Sequence, residues 1–382
     1  MKAYCLNNIS KVALNTLKNP DTTVEDVKDA DSILVRSFAM HEYELPKNIL
    51  AVARAGAGVN NIPLDKYAEE GVVVFNTPGA NANAVKELVI AASLLASRDI
   101  VGGIEWVNEN KADEAIAKTA EKAKAKFAGK EIYGKTIAVV GLGVIGVLVA
   151  NAFVELGMNV KGYDPFLSIN NAMKLNKNVR YYEKLEDAVR DVDFVTVHVP
   201  AMDSTKKMIN KDVFGLVNDS AVLLNFSRDT LVDEDDLKDA LESGKISKYI
   251  TDFANSNVVN FPNTIITPHL GASTEEAEDN CALMAINELK DFIENGNITN
   301  SVNYPSISLG KKQAQYRVCI NHKNIPGQIA NFSAIISEKG GNITDFVHKS
   351  RGDFAYSIID VDGKVDVESL KNLDGVYRVR VI

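Results

Sequence analysis

The chain has 382 residues, of which 46% are hydrophobic and 24% charged, a composition typical of a globular protein with two or three domains. The formal net charge of −9 argues against a general nucleic-acid-binding protein, which would present a basic face. The uncharged run 137–153 is too short and too rich in glycine to cross a bilayer, and the N-terminal MKAYCLNN lacks the apolar core of a signal peptide. The three cysteines, Cys5, Cys281 and Cys319, fit no metal-ligand spacing. We therefore expect a cytoplasmic protein without a nucleic-acid partner, a membrane partner or a bound metal.

The first 85 residues alternate short apolar strands with helical patterns, which predicts a parallel sheet covered by helices. The predicted strands are 33–35, 51–55 and 72–75, and a short helix is predicted at 64–70. Small or polar residues follow each strand: Arg36 and Ser37 after the first, Gly56, Ala57, Gly58, Val59 and Asn60 after the second, and Asn76 to Gly79 with Asn81 after the third. Ligands bind beyond the carboxyl ends of such strands, so these residues could converge on one site. Taken singly, Arg36 is equally consistent with a surface charge and the glycines with a turn.

A long helical pattern begins at Ala84, and a segment rich in alanine and lysine follows at 111–130. We interpret this second segment as a solvated helix. The alternative is that one of its lysines (Lys118, Lys122, Lys124, Lys126 or Lys130) reaches an anionic substrate across a subunit boundary.

Residues 137–164 read as strand, glycine turn, helix, strand and acid. Gly141, Gly143 and Gly146 form G-x-G-x-x-G, with Val144 and Ile145 inside the motif, and Asp164 ends the next strand 18 residues after the last glycine. The glycines allow a tight turn, close approach of a pyrophosphate and close helix packing, while the helix N-terminus offers free N–H groups to the phosphates. A carboxylate at Asp164 favours NAD over NADP because it accepts a hydrogen bond from the ribose 2′-hydroxyl. The motif predicts a dinucleotide site.

Four later strands are predicted at 194–199, 222–225, 249–251 and 265–267, each followed by polar residues. His269 stands directly after the last of them, and its imidazole could take a hydroxyl proton while a hydride leaves. Arg228 follows the strand 222–225, and its guanidinium is suited to hold a carboxylate through paired hydrogen bonds. A structural histidine and a surface arginine are the alternatives.

A long helix is predicted at 275–294, and the polar stretch 295–308 is predicted to be a linker. Residues 314–382 then follow the pattern βαββαβ, which indicates a small domain of the ferredoxin-like type.

The combined motifs GLGVIG, YDP, HVP at 198–200, NFSRDTLVDEDDL at 225–237 and TPHLGAST at 267–274 resemble the D-isomer-specific 2-hydroxyacid dehydrogenase family over about residues 1–305. The resemblance is greatest to its members that oxidise 3-phospho-D-glycerate, and 321–327 and 341–343 resemble the amino-acid-binding face of an ACT domain. The implied fold is α/β: a Rossmann-type doubly wound domain (86–281) inserted into a discontinuous flavodoxin-like substrate domain (1–85 and 282–305), followed by a linker (306–313) and an ACT domain (314–382).

The resemblance assigns roles to matching positions. Arg228 would bind the substrate carboxylate and His269 would be the acid/base. Substrate contacts would come from Arg36, Ser37, Gly56, Ala57, Gly58, Val59 and Asn81. NAD would be lined by Gly141, Gly143, Val144, Ile145, Gly146, Asp164, His198, Val199, Pro200, Thr205, Asn225, Asp252, His269 and Gly271. A regulatory L-serine would contact His322, Asn324 and Asn342, and a homodimer or homotetramer is expected.

One position departs from the family. A glutamate usually hydrogen-bonds the catalytic histidine and raises its basicity, but the aligned position here holds Asn257. Another acid, such as Glu275 or Glu276, would have to replace it, or the enzyme would work without this partner.

The expected reaction is NAD-dependent oxidation of 3-phospho-D-glycerate to 3-phosphohydroxypyruvate, the first step of L-serine synthesis. The alternatives are a reductase of glyoxylate, hydroxypyruvate or another 2-oxo acid, and an NAD(H)-sensing regulatory protein.

Overall fold

The structure is a computed structural model that describes residues 1–18 and 21–382. Residues 1–81 contain β1 (Lys2–Cys5), α1 (Lys11–Leu14), β2 (Thr22–Val24), β3 (Ser32–Val35), β4 (Ala51–Arg54), α2 (Leu64–Glu69) and β5 (Val73–Phe75). Residues 82–274 contain α3 (Ala82–Ser97), α4 (Ile100–Glu109), α5 (Ile116–Ala123), β6 (Thr136–Val140), α6 (Val144–Glu155), β7 (Asn159–Tyr163), α7 (Ile169–Ala172), β8 (Arg180–Tyr182), α8 (Leu185–Val189), β9 (Phe194–Val197), α9 (Lys211–Leu216), β10 (Ala221–Asn225), α10 (Glu234–Glu242), β11 (Ile246–Thr251) and β12 (Thr264–Ile266). Residues 275–382 contain α11 (Glu275–Asn295), β13 (Tyr316–Lys323), α12 (Gln328–Glu338), β14 (Gly341–Arg351), β15 (Phe354–Gly363), α13 (Val367–Lys371) and β16 (Val376–Val381).

The chain divides into two compact units: a discontinuous unit, 1–81 with 275–382, and an inserted unit, 82–274. The predicted boundaries of the inserted domain were 86 and 281. The compact division also groups the C-terminal residues 314–382 with residues 1–81, rather than setting them apart.

The discontinuous unit contains two sheets. The first is parallel with the order β2-β1-β3-β4-β5, the flavodoxin-like arrangement, and apolar side chains cover both of its faces. The second is antiparallel with the order β14-β15-β13-β16, which the predicted βαββαβ pattern requires. Helix α11 packs between the two sheets, because its residues share one core with β4 and with Cys319, Tyr356 and Ile358 of the second sheet.

Three arginines of the C-terminal sheet bind main-chain carbonyls outside it. Arg380 donates to the carbonyls of Phe292 and Ile293 at the C-terminal end of α11, and its guanidinium carbon lies 4.3 Å from the centroid of the Phe292 ring. Arg378 donates to the carbonyls of Ile49 and Glu70. The fully buried Arg317 pairs with Asp360 and donates to the carbonyls of Asn295 and Gly310. The bonds of Arg378 tie the sheet to residues 1–81, and those of Arg380 and Arg317 tie it to the C-terminal end of α11 and to the segment that follows this helix.

The prediction of a linker at 295–308 is wrong. Ile298, Tyr304 and Ile307 are buried, Ile298 and Ile307 form a β-bridge, and the Tyr304 hydroxyl donates to the carbonyl of Ala68 at 2.6 Å. The polar composition was misleading because Asn297 and Asn303 are buried. Their side-chain amides donate to the main-chain carbonyls of Gly310 and Val72. The following residues 306–313 are also tied down, for example by the bond from Arg317 to Gly310.

The inserted unit is one seven-stranded parallel sheet with the order β12-β11-β10-β9-β6-β7-β8. Chain order reverses at β6, with β7 on one side and β9 on the other, as in the predicted Rossmann-type fold. One face packs against α3 and α6, and the other against α8, α9 and α10. The lysine-rich segment forms α5 followed by a 3-10 turn, and its lysines 118, 122, 124, 126 and 130 are exposed, as the solvated-helix interpretation predicts. The predicted α/β fold class is confirmed.

Candidate active site

The glycine turn between β6 and α6 has the geometry of a phosphate cradle. Gly141 has φ +95°, and a Cβ there would lie 2.5 Å from the carbonyl oxygen of His198. A Cβ on Gly146 would lie 1.8 Å from the carbonyl oxygen of Gly141, so this glycine is needed for packing. A Cβ on Gly143 would meet nothing within 4 Å, and Gly143 is the N-cap of α6. The space over Gly143 is therefore open to a ligand that approaches the helix N-terminus.

Asp164 follows β7, as predicted, but its carboxylate already has partners. Its two oxygens accept hydrogen bonds from the main-chain N–H groups of Leu142 and Phe166, both at 2.8 Å. The carboxylate thus braces the glycine turn, and each oxygen retains a second lone pair for a ribose hydroxyl.

Among the buried polar atoms that have no hydrogen-bond partner in the described residues, two belong to predicted cofactor residues that follow strands of the inserted unit. One is Nδ1 of His198, whose other ring nitrogen lies 2.9 Å from the hydroxyl of Thr196. Burial lowers the pKa of His198 to about 3, so this ring is neutral at physiological pH. The other is Oδ1 of Asp252.

Asp252 is 1% exposed, and its Oδ2 accepts from the N–H of Gly271 at 2.8 Å. Desolvation raises the pKa of this carboxyl group, opposed by the bond from Gly271 and by the nearby His269 and Arg228. An amide donor such as the nicotinamide carboxamide would satisfy the free oxygen. The open glycine turn and these unpaired atoms fit NAD.

Other predicted cofactor residues use their side chains within the protein. Thr205 donates to the carbonyl of Pro200 at 2.7 Å and accepts from the N–H of Met202, which fixes the turn after Val199. Buried Asn225 donates to the carbonyl of Arg228 at 2.8 Å and accepts from the N–H of Ser227. These residues shape the loops rather than offer free polar groups.

Arg228 follows β10 and His269 follows β12, the strands on either side of β11, and both side chains meet one aromatic ring that follows β11. The guanidinium carbon of Arg228 is 5.6 Å from the centroid of the Phe253 ring, and the ring centroids of His269 and Phe253 are 4.8 Å apart. Both His269 and Arg228 are exposed. His269 has φ +52°, and its main-chain N–H donates to the carbonyl of Asp252 at 2.9 Å. A cation for a carboxylate and an acid/base for a hydroxyl are thus close together on the inserted unit.

Asn257, which the motif resemblance aligns with a glutamate, is hydrogen-bonded to α10. Its amide donates to Oε2 of Glu234 at 2.8 Å, and Asn255 donates to Oε1 of the same carboxylate at 2.7 Å. Glu275 and Glu276, which we considered as replacements, belong to the first turn of α11 in the discontinuous unit.

In the discontinuous unit, Arg36 follows β3 and forms an ion pair with Glu278 of α11, with Nη2 and Oε1 2.6 Å apart. Arg54, which the sequence reasoning missed, ends the neighbouring strand and donates to the carbonyl of Arg36 at 3.0 Å. A Cβ on Gly56 would lie 2.5 Å from Nη1 of Arg54, so this glycine makes room for the guanidinium. The position of Arg54 at a strand end was the signal that could have identified it.

Except for Asn81, which follows β5, the remaining predicted substrate residues come shortly after one of these two arginines in the chain. Ser37 and Ala57 are exposed, Gly58 and Val59 are half-buried, and Oδ1 of Asn81 is buried without a partner in the described residues. Two cations and an unpaired amide oxygen make this end of the sheet suited to an anion with a hydroxyl group.

The structure does not bring the three predicted serine-binding residues together within one chain. His322 is fully buried, its Nδ1 lies 2.8 Å from the carbonyl of Lys323, and its Nε2 lies 3.1 Å from the Ser357 hydroxyl. Burial lowers its pKa to about 4. In the sheet His322 pairs with Ala355, whereas Asn342 pairs with Asp362, roughly 20 Å farther along β15. Asn324 donates to the carbonyl of Gly352, at the His322 end.

No helix of the described residues is long and apolar enough to span a membrane, and no group of three or more histidine, cysteine, aspartate or glutamate side chains there is arranged to hold a metal ion.

Comparison with known proteins places the chain in a family. Residues 90–271 match the model of the D-isomer specific 2-hydroxyacid dehydrogenase NAD binding domain. A D-3-phosphoglycerate dehydrogenase of Escherichia coli strain K12 is 30% identical over 379 residues, covering 94% of this chain and 88% of the relative. The chain belongs to the D-isomer-specific 2-hydroxyacid dehydrogenase family.

Two further matches add to this. A D-3-phosphoglycerate dehydrogenase of Methanocaldococcus jannaschii is 31% identical over 318 residues, which cover 80% of this chain but only 58% of the length of that relative. The crystal structure of an NAD⁺-bound 3-phosphoglycerate dehydrogenase of Entamoeba histolytica superposes on this chain with a TM-score of 0.62 and 26% sequence identity. The match covers 79% of this chain and 98% of the Entamoeba chain. Residues 90–271 are accordingly an NAD-binding domain.

Proposed function

We propose that this chain oxidises 3-phospho-D-glycerate to 3-phosphohydroxypyruvate with NAD, the first step of L-serine biosynthesis. The observation that carries the proposal is the placement of Arg228 and His269 around one aromatic ring, next to the buried carboxylate of Asp252. The similarity to D-3-phosphoglycerate dehydrogenases over most of the chain supports the choice of substrate.

The roles of the residues follow from their chemistry. The guanidinium of Arg228 pairs with the substrate carboxylate and orients C2. The imidazole of His269 takes the proton of the C2 hydroxyl, and in the reverse direction it returns that proton to the oxygen of the 2-oxo acid. Arg36 and Arg54 are the cations that the discontinuous unit offers to a phosphate. NAD supplies the acceptor for the hydride that leaves C2. The Gly141 turn, Asp164 and Asp252 would hold the NAD molecule.

The test is NADH formation from 3-phosphoglycerate, and NADH consumption with 3-phosphohydroxypyruvate, by wild type and His269→Ala. Loss of a general base lowers kcat by about 10²- to 10⁴-fold. His348→Ala, a histidine in the C-terminal sheet, is the control and should retain the kcat of the wild type. A His269→Ala variant with unchanged kcat would remove His269 from the mechanism.

A second substrate remains a specific alternative because Glu278 already pairs with Arg36. An enzyme for glyoxylate or hydroxypyruvate would not need Arg36 for a phosphate. A panel of phosphorylated and unphosphorylated 2-oxo acids with Arg36→Ala separates the two: selective loss of the phosphorylated substrate supports the first proposal. Tight NADH binding without turnover of any 2-oxo acid would favour a nucleotide-sensing protein instead.

We further propose that L-serine regulates the enzyme through the C-terminal domain of a cytoplasmic homodimer or homotetramer. Asn342 and the pair His322 and Asn324 lie at opposite ends of the sheet, so one serine could contact all three only across two copies. The proposal predicts that serine inhibits turnover and raises the melting temperature, and that Asn342→Ala abolishes both effects. Serine without either effect on the wild type would contradict it.

A further inference from the structure

As the structure describes it, the loop after β11 offers no carboxylate that hydrogen-bonds the imidazole of His269. Asn255 and Asn257 both donate to Glu234 at the start of α10, which ties this loop to the helix. Oδ2 of Asp252 is occupied by the N–H of Gly271. In the described residues of the inserted unit, no side chain hydrogen-bonds the imidazole of His269. The orientation of this ring must come from another kind of contact.

Phe253 provides that contact. Its ring centroid is 4.8 Å from that of His269 with an interplanar angle of 51°, within the range of favourable tilted aromatic pairs. The guanidinium carbon of Arg228 lies 5.6 Å from the same centroid, within reach of a cation–π interaction. One ring therefore touches both groups that the reaction requires.

The backbone under Phe253 is held firmly. Thr251 and Asp252, the two residues before it, are 0% and 1% exposed, and the N–H of Phe253 donates to the Thr251 hydroxyl at 3.1 Å. A phenylalanine ring has only two side-chain torsions, so little entropy is lost when it is fixed. A ring fixed in this way can hold two exposed side chains in place.

We propose that Phe253 is a positioning residue that holds the imidazole of His269 and the guanidinium of Arg228, in place of the carboxylate that other family members use for the histidine. The inference rests on the proposed function of Arg228 and His269. An apolar ring restricts the orientation of the imidazole but supplies no negative charge, so its contribution lies in geometry. Its loss should affect turnover and substrate binding and leave NADH affinity unchanged.

The experiment compares Phe253→Leu, which removes the ring, with the conservative Phe253→Tyr, which keeps it. The control is Phe261→Leu, the same substitution at the far end of the loop, where the ring packs on the core. For each protein we would measure kcat and KM for 3-phosphohydroxypyruvate, the Kd of NADH by fluorescence, and the melting temperature. Phe253→Leu should lower kcat/KM about tenfold, mostly through kcat, the size expected for losing one aromatic pair and one cation–π contact. Phe253→Tyr should restore kcat/KM to within about twofold of wild type, and Phe261→Leu should leave kcat unchanged. The Kd of NADH should stay within about twofold throughout.

Two results would overturn the inference: a Phe253→Leu protein that binds NADH and keeps the kcat/KM of the wild type, or an equal loss of kcat in Phe261→Leu. Failure of the proposed function is recognised separately, as a wild type without turnover of any 2-oxo acid. The positioning role is then decided by NMR of histidine-labelled protein, which has only five histidines. The His269 ring resonances should lose the ring-current shift from Phe253 in the leucine variant and retain it in the tyrosine variant. Identical His269 shifts in wild type and Phe253→Leu would refute the contact itself.

Discussion

The ion pair between Arg36 and Glu278 makes a sharp prediction about substrate affinity. If Arg36 binds the phosphate of the substrate, that phosphate must compete with the Glu278 carboxylate for the same guanidinium. Glu278→Gln keeps the shape of the side chain and removes its charge. The variant should therefore bind phosphorylated substrates more tightly than the wild type.

The magnitude follows from the exposure of the pair. The side chains of Arg36 and Glu278 are 40% and 43% exposed, so breaking their contact costs only about 0.2–1 kcal/mol. Removing a negative charge from about 7 Å of the phosphate adds roughly 0.6 kcal/mol per unit of phosphate charge in water. A sum near 1 kcal/mol corresponds to a KM about fivefold lower. The gain should shrink as salt is added, since both terms are screened.

The assay is the KM for 3-phosphohydroxypyruvate and for hydroxypyruvate, each measured at low salt and at about 0.5 M salt, where charges are strongly screened. Glu276→Gln removes one charge from the same turn of α11 and serves as the control. The KM for hydroxypyruvate should not change in Glu278→Gln. An equal change for both substrates, or the same gain in Glu276→Gln, would refute a direct competition for Arg36.

Three further predictions concern the frame of the site. Burial raises the pKa of Glu288 to about 8, although its hydrogen bond with Asn300 opposes the shift, so this carboxyl group costs stability progressively as the pH rises from about 4.5 to 8. The melting temperature of Glu288→Gln should therefore exceed that of the wild type by a margin that grows across this window, and a constant margin would contradict the raised pKa. Arg380→Ala removes the cap of α11 and should lower the melting temperature by about 3 °C or more, while an unchanged value would show that the sheet is held without it. Gly143→Ala should weaken NADH binding without changing the melting temperature, because the added methyl group meets only the space left for the ligand. Gly146→Ala should lower the melting temperature, because its methyl group would meet the carbonyl oxygen of Gly141. The reverse pattern would refute both roles.

The order of the elements could be predicted from the sequence because each depends on local patterns. The motif from Gly141 to Asp164, the later strands of the Rossmann-type sheet and the βαββαβ pattern near the C-terminus all appear in the structure, with ends that differ by a few residues. The predicted linker failed because its burial depends on partners far along the chain. Asn303, for example, binds the main chain of Val72 and Val74, and neither contact leaves a periodic signal in the sequence.

The same reason limits what the sequence reveals about the site. Spacing could place Arg36 at a strand end, but it could not show that Glu278 pairs with it or that Arg54 lies beside it. His322 matched an effector position, but its burial and its bond to Ser357 depend on strand pairing.

Asn257 shows both the strength and the limit of the motif comparison. The sequence identifies the position at which a carboxylate is missing, because the flanking residues are recognisable. The sequence does not show that the side chain of Asn257 donates to Glu234, a contact that ties this loop to α10. Nor does it show that the residue directly after Asp252 is the one that meets both functional side chains. A carboxylate at position 257 could not donate to Glu234 and would be repelled by this like charge. Asn257→Glu alone should therefore break the contact between this loop and α10, which would be seen as a lower melting temperature than that of the wild type.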